Sequence, residues 1–137
     1  MMEKMRNKKK KGFTLIELVV VIVILGILAA IAVPRLGSSR INAAVSAHNA
    51  NVRTIESAAS LYLADTNASS VSMTNLTTDS KYLNGVPAVP APISGKSVTP
   101  SGGSKVEIGT SYTVTLTNGQ IVVSPVAIPK ADSYTTN

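Results

Sequence analysis

The chain of 137 residues has no cysteine and no tryptophan, one histidine and one phenylalanine. Without cysteine there is no disulfide framework, no thiolate metal site and no cysteine nucleophile. A single histidine excludes multi-histidine metal clusters and leaves most zinc-hydrolase ligand sets unfilled. Charged residues are also few, 15% against 45% hydrophobic, and so large a hydrophobic share excludes a wholly disordered chain. No G-x-x-x-x-G-K-[ST], G-x-G-x-x-G or G-x-S-x-G occurs, so the phosphate-cradling loop, the dinucleotide fingerprint and the nucleophile elbow are missing. A Ser-His-Asp triad can be assembled only nominally, because its one candidate base, His48, lies within a helical apolar pattern. The acids Glu56, Asp65, Asp79, Glu107 and Asp132 lack calcium-loop spacing, and nothing in their placement motivates a carboxylate pair. Four tyrosines and one phenylalanine are too sparse for an electron-transfer path. The expectation is a chain that is not an enzyme, with no catalytic residue, no metal and no cofactor.

What charge there is lies at one end. Met1–Gly12 carries Lys4, Arg6, Lys8, Lys9, Lys10 and Lys11 against Glu3 alone, a net +5 of the chain's +6. A basic run directly before an apolar one reads as a topogenic signal held on the cytoplasmic side. A solvated basic tail or nucleic-acid arm is the other reading. It explains less, because the remaining chain has no basic patch and no aromatics interleaved with cations, so no nucleic-acid partner is expected.

Phe13–Val33 is 21 residues with only Thr14 and Glu17 polar. As a helix it spans about 31 Å, enough for a bilayer core. Three readings compete: a secretory signal, with Ala30-Ile31-Ala32 as a small-x-small cleavage site; a plain single-pass anchor; and an anchor cut at its front edge and then used for assembly. Glu17 separates them. A carboxylate within hydrocarbon costs roughly 2.5 to 3.5 kcal/mol at a helix centre, somewhat less near an end. A discarded signal has no use for it, and once buried it requires a cationic partner.

The string Lys11-Gly12-Phe13-Thr14-Leu15-Ile16-Glu17-Leu18 resembles the prepilin motif of type IV pilins and their relatives. The resemblance covers Lys8 to Arg40, about a quarter of the chain, and the whole is similar in architecture to a type IV major pilin. It implies that a membrane prepilin peptidase cuts the leader after Gly12 and methylates the new amine on Phe13. It implies that Glu17 then neutralises the Phe13 amine of a neighbouring subunit in the filament core, an intramolecular partner being the alternative. Unpaired buried charges are strongly unfavourable, so such pairing sets axial register. Gly26 and Pro34 fall where the family commonly has a helix-weakening glycine and proline. Extension and retraction would come from an assembly platform and cytoplasmic ATPases.

Past Pro34 the residues Ile41, Val45, His48, Val52, Ile55, Ala59 and Tyr62 step by four and three, an amphipathic stripe. One helix is therefore expected from Phe13 to about Asp65, roughly 80 Å if continuous. Pro34 removes an amide donor and predicts a kink, which reads either as a segment that bends or melts on assembly or as a static bend. His48 on the stripe reads as a histidine hydrogen-bonded beneath a head rather than as a ligand or base.

Asp65–Thr78 is rich in Ser, Thr and Asn and reads as a loop; its Asn67-Ala68-Ser69 and Asn75-Leu76-Thr77 match the glycosylation pattern, which arises easily by chance in such sequence. A short helix near Thr74–Leu83 would let Leu76, Tyr82 and Leu83 cover the stripe. Residues 85–104 contain Pro87, Pro90, Pro92 and Pro100 and are expected to be an irregular loop, excluding a central strand. Lys105–Ile108, Ser111–Thr117 and Gln120–Ser124 alternate as strands, the last two joined by an Asn118-Gly119 hairpin turn. The tail from Lys130 is expected to be loose or to form a subunit contact.

The fold class expected is α+β: a long N-terminal helix, apolar in its first half, with a small antiparallel β-sheet head packed on its C-terminal half. The organisation is leader 1–12, filament-core helix 13–33, amphipathic continuation 34–65 and head 66–137. The function expected is a homopolymeric pilus subunit for adhesion or surface motility, held in the cytoplasmic membrane as a prepilin and then displayed on the surface. The alternatives are a pseudopilin of a type II secretion or competence system, and a soluble protein released after Ala32.

Overall fold

The computed structural model describes residues 12–137, the side chains of residues 34 and 35 excepted. The leader, Met1–Lys11, lies outside them. The chain divides into two units, Met1–Arg35 and Leu36–Asn137. One helix, α1 (Leu15–Thr66), has residues in both. The kink expected at Pro34 falls on a residue whose side chain is not described.

In the first unit every side chain from Gly12 to Val33 is exposed, although almost all are apolar. A helix that is apolar all round belongs in a membrane or among other helices. Leu15–Val33 is long and apolar enough to cross a membrane. Gly26 lies inside this helix, and a Cβ there would meet nothing within 4 Å. Glycine in a helix interior costs about 1 kcal/mol relative to alanine, and no packing within the described chain requires it.

In the second unit the expected stripe is the buried face of α1. Val45, His48, Val52, Ile55 and Ala59 are buried together with Ala44 and Ala58, while Ile41 and Tyr62 are half-buried at its ends. The helix stops where Asn67 adopts φ 52° and its N–H donates to the Leu63 carbonyl at 2.9 Å. This is a left-handed cap, for which asparagine is the best choice after glycine. A short helix follows, α2 (Met73–Thr77), capped by the Ser72 hydroxyl, which accepts from the Asn75 N–H. It places Leu76 and then Leu83 in the core.

The head holds five strands in two sheets. β3 (Thr113–Thr117) and β4 (Gln120–Ser124) form the expected hairpin, in register Thr117↔Gln120. Asn118 and Gly119 have φ of 52° and 76°, the paired positive values of a tight hairpin turn. Tyr112, Val114 and Val123 point into the core and Thr113, Thr115 and Thr117 to solvent, as the alternation predicts.

Two expectations are corrected. Residues 85–104 are not irregular throughout: β1 (Ser97–Pro100) lies within them and is the middle strand of the other sheet, between β2 (Val106–Glu107) and β5 (Tyr134–Thr136). The prolines do not prevent this because three of them precede the strand. Pro100 is its last residue and offers its carbonyl to the Gly103 N–H at 3.0 Å. The rest of the segment does wrap the head, burying Val89 and Ile93. Nor is the tail loose. β5 (Tyr134–Thr136) pairs antiparallel with β1, and Asn137 and Ser97 exchange backbone hydrogen bonds of 3.1 and 3.2 Å. The Tyr134 hydroxyl donates to the Pro129 carbonyl and accepts from the Ala131 N–H. Backbone pairing thus anchors a tail that no disulfide can hold. β2 (Val106–Glu107) borders the other side of β1.

Polar groups fasten the sheets to α1. His48 is fully buried, with Nε2 2.9 Å from the Val126 carbonyl and Nδ1 2.8 Å from the Tyr112 hydroxyl. A carbonyl only accepts, so Nε2 carries a proton, and in the neutral ring Nδ1 then accepts from the tyrosine hydroxyl. The two rings stack at 5.5 Å. Burial raises the Tyr112 hydroxyl's pKa, partly opposed by a hydrogen bond from Asn51, so it stays protonated as that donor. Asn49 mimics a strand neighbour: its amide donates to the Ile128 carbonyl and accepts from the Ile128 N–H, both at 2.8 Å.

At the end of α1, Asp65 takes the Lys81 ammonium at 2.6 Å and the Tyr82 hydroxyl at 2.8 Å. The Lys81 hydrogen bond, then that of Tyr82, hold the Asp65 carboxyl below its ordinary value, and Lys81 is raised in turn. Glu107 is lowered likewise by Lys105 and then Ser97. A carboxyl depressed in the folded state adds stability that is present above its unfolded pKa and is lost as pH falls through the folded one. Thermal unfolding of the detergent-solubilised chain should therefore show a plateau above about pH 4 and a decline below it. Replacing both acids by their amides should flatten that decline. An unchanged acid limb in the double variant would contradict the assignment.

Candidate processing and assembly site

Thr14 precedes the first helical residue and is the N-cap of α1: its carbonyl accepts from the Leu18 N–H at 3.3 Å. Glu17 stands three residues on, and the two close a reciprocal ring. The Glu17 N–H donates to the Thr14 hydroxyl at 3.3 Å. Glu17 Oε2 accepts from the Thr14 N–H at 2.9 Å and from its hydroxyl at 2.8 Å. This is a capping box, which satisfies helix donors that have no intrahelical partner. A carboxylate there is also favoured by the positive end of the helix dipole. The T-x-x-E spacing before an apolar run is the sequence signature of such a cap, so this role of Glu17 was legible alongside the charge argument.

Only Oε2 is engaged; Oε1 has no hydrogen bond among the described residues. Phe13 is 85% exposed and, with Ile16, Glu17, Val20 and Val21, lines a shallow hollow of about 360 Å³ on the helix surface. At Gly12 a Cβ would meet nothing within 4 Å, so the folded chain does not itself require glycine at that position. The structure therefore brings Gly12, Phe13 and Glu17 together at one helix start. Gly26 lies nine residues beyond Glu17 in sequence, about 13 Å along the helix, and Pro34 further still, so neither belongs to this site.

Residues 7–33 match the prokaryotic N-terminal methylation motif. The chain carries a prepilin-type N-terminal segment. The long N-terminal apolar helix followed by a small antiparallel β-structure is a pilin-like α+β arrangement. It is 43% identical over 61 residues to the type II secretion system core protein G of Pseudomonas aeruginosa, covering 44% of this chain and 43% of that protein. To the protein of the same name from Aeromonas hydrophila it is 40% identical over 63 residues, 46% of this chain and 44% of that one. To that of Klebsiella michiganensis it is 41% identical over 61 residues, 44% and 43%. The match thus spans under half the length of these curated relatives. No solved structure matches the chain. The prepilin-type segment contains Gly12, Phe13 and Glu17 of the candidate site.

Proposed function

We propose that the chain is a non-enzymatic, pilin-like filament subunit of the kind used by a secretion system. In this reading a prepilin peptidase cuts after Gly12 and methylates Phe13, and the subunits polymerise through α1. The observation that carries it is the exposed apolar first half of α1, Leu15–Val33, with a half-engaged carboxylate in its first turn. An apolar surface of this extent has to be covered, at about 25 cal/mol for each Å² buried. In the membrane lipid covers it; in a filament the helices of other copies do. Cleavage leaves a cationic amine on Phe13, and methylation keeps the charge. In this reading Glu17 Oε1 of an adjacent copy accepts from it while Oε2 keeps the cap. The precursor sits in the cytoplasmic membrane.

The relatives favour the secretion reading over a surface pilus for adhesion or motility. Deleting the chain in its host should stop the release of secreted proteins and leave surface attachment and motility intact. The reverse pattern would support the pilus reading instead.

A further inference from the structure

We propose that a groove on one flank of the head receives the Asp79 carboxylate of a second copy of the chain, linking neighbouring subunits. The inference rests on the filament reading above. The groove runs between α1 and the C-terminal tail, measures about 270 Å³, and is lined by Val45, Ser46, Asn49, Arg53, Lys130 and Tyr134, with Ala50. Its walls are fixed. The Asn49 amide is committed to Ile128 and the Tyr134 hydroxyl to Pro129 and Ala131. The remaining donors are the Arg53 guanidinium, the Lys130 ammonium, the Ser46 hydroxyl and the second N–H of the Asn49 amide. No acid lines the groove, and neither cation forms an ion pair among the described residues. Arg53 also borders a second hollow with Thr54, Ser57 and Leu61. Two uncompensated cations above fixed walls suit one carboxylate, which arginine holds in bidentate fashion.

The head's acids narrow the donor. Asp65 and Glu107 are held by Lys81 and Lys105. Glu56, three residues from Arg53 on α1, and Asp132, two from Lys130 on the tail, are sequence neighbours of the two cations yet pair with neither of them. Asp79 is exposed and has no partner among the described residues. It sits on the turn after α2 and lines a hollow with Tyr62, Asn75, Lys81 and Tyr82, beside the end of α1. Asp79 and Ser80 have φ of 54° and 52°, a left-handed pair that is uncommon without glycine and fixes how the turn presents its acid.

Asn49 in the groove and Asp65 beside the turn are sixteen residues apart on α1. At 3.6 residues per turn they point about 160° apart and lie about 24 Å apart along the axis. Acid and groove therefore occupy different flanks and different heights. Such a contact is heterologous: one copy's acid enters the next copy's groove and leaves its own groove free. Where the rotation does not close, contacts of this kind build an open helical polymer.

The test is zero-length carbodiimide coupling of wild-type filaments, read by gel and peptide mass spectrometry. The expected result is a ladder of covalent oligomers in which Asp79 is joined to Lys130. Lys130→Glu alone, or Asp79→Lys alone, should lower filament yield about tenfold through like-charge contact, and the two together should restore it. Wild-type filaments whose ladder lacks the Asp79–Lys130 peptide would overturn the contact but leave the filament reading standing. So would single reversals that assemble normally. Coupling of the same pair within detergent-dispersed monomers would also overturn it. A wild-type chain that is processed yet never forms filaments would overturn both.

Discussion

Glu17→Gln is expected to be cut after Gly12 at the wild-type rate and to lose filament assembly by at least about tenfold. The cleavage half follows from the structure of the first turn. Glutamine serves a capping box as glutamate does, so the bonds between Thr14 and residue 17 survive and α1 starts where it does now. The assembly half follows from charge. A methylated amine on Phe13 buried among apolar helices needs a carboxylate, and an uncompensated buried ion costs several kcal/mol. Glu17→Ala removes the carboxylate's half of the capping box and the charge together and should assemble no better. The pair of variants separates two roles that a single alanine substitution would merge. Filaments from Glu17→Gln but not from Glu17→Ala would assign assembly to the cap and not to the charge. Sheared-filament yield, normalised to the amount of chain beginning at Phe13, is the measurement.

His48→Ala should destabilise the head by about 3 kcal/mol or more. It opens a cavity at a fully buried position and strips the Val126 carbonyl and the Tyr112 hydroxyl of their partner. For a domain of this size that lowers the unfolding temperature by more than about 10 °C. Tyr112→Phe keeps the ring stacked on His48 and removes the hydroxyl's bond to His48 and the longer one from Asn51, so about 1 to 2 kcal/mol is expected. The two effects should not add, because they share a bond. Thermal unfolding of the processed chain in detergent decides this. A His48→Ala variant as stable as wild type would show that the network does not hold the head to α1.

Periodicity made the helix legible. The four-three stepping from Ile41 to Tyr62 is the face that the structure buries, because a helix beside a core exposes one stripe to it whatever the partner. The β3–β4 hairpin was legible for a similar reason: Asn118-Gly119 is a local signal, and strand alternation is set by the pleat. β1 was not. A four-residue strand ending in proline has no local pattern, and it exists because β2 and β5 pair with it from six or more residues away. β5 depends on the same long-range pairing. Asn49 escaped notice because it lies off the apolar stripe, and its partner is the backbone of Ile128, which no side-chain pattern announces. At the candidate site, Gly12, Phe13 and Glu17 were readable as a string, since a site made of neighbours in sequence needs no fold to assemble it.

The central claim is that the apolar helix is kept and its leader removed. Intact mass with N-terminal sequencing of the chain from membrane and sheared fractions tests this most directly. The account predicts a chain that begins at Phe13 with a methylated amine and retains the whole of α1. A soluble chain beginning at Val33, cut after Ala32, would contradict it, making α1's apolar half a discarded signal and reopening the function of the head.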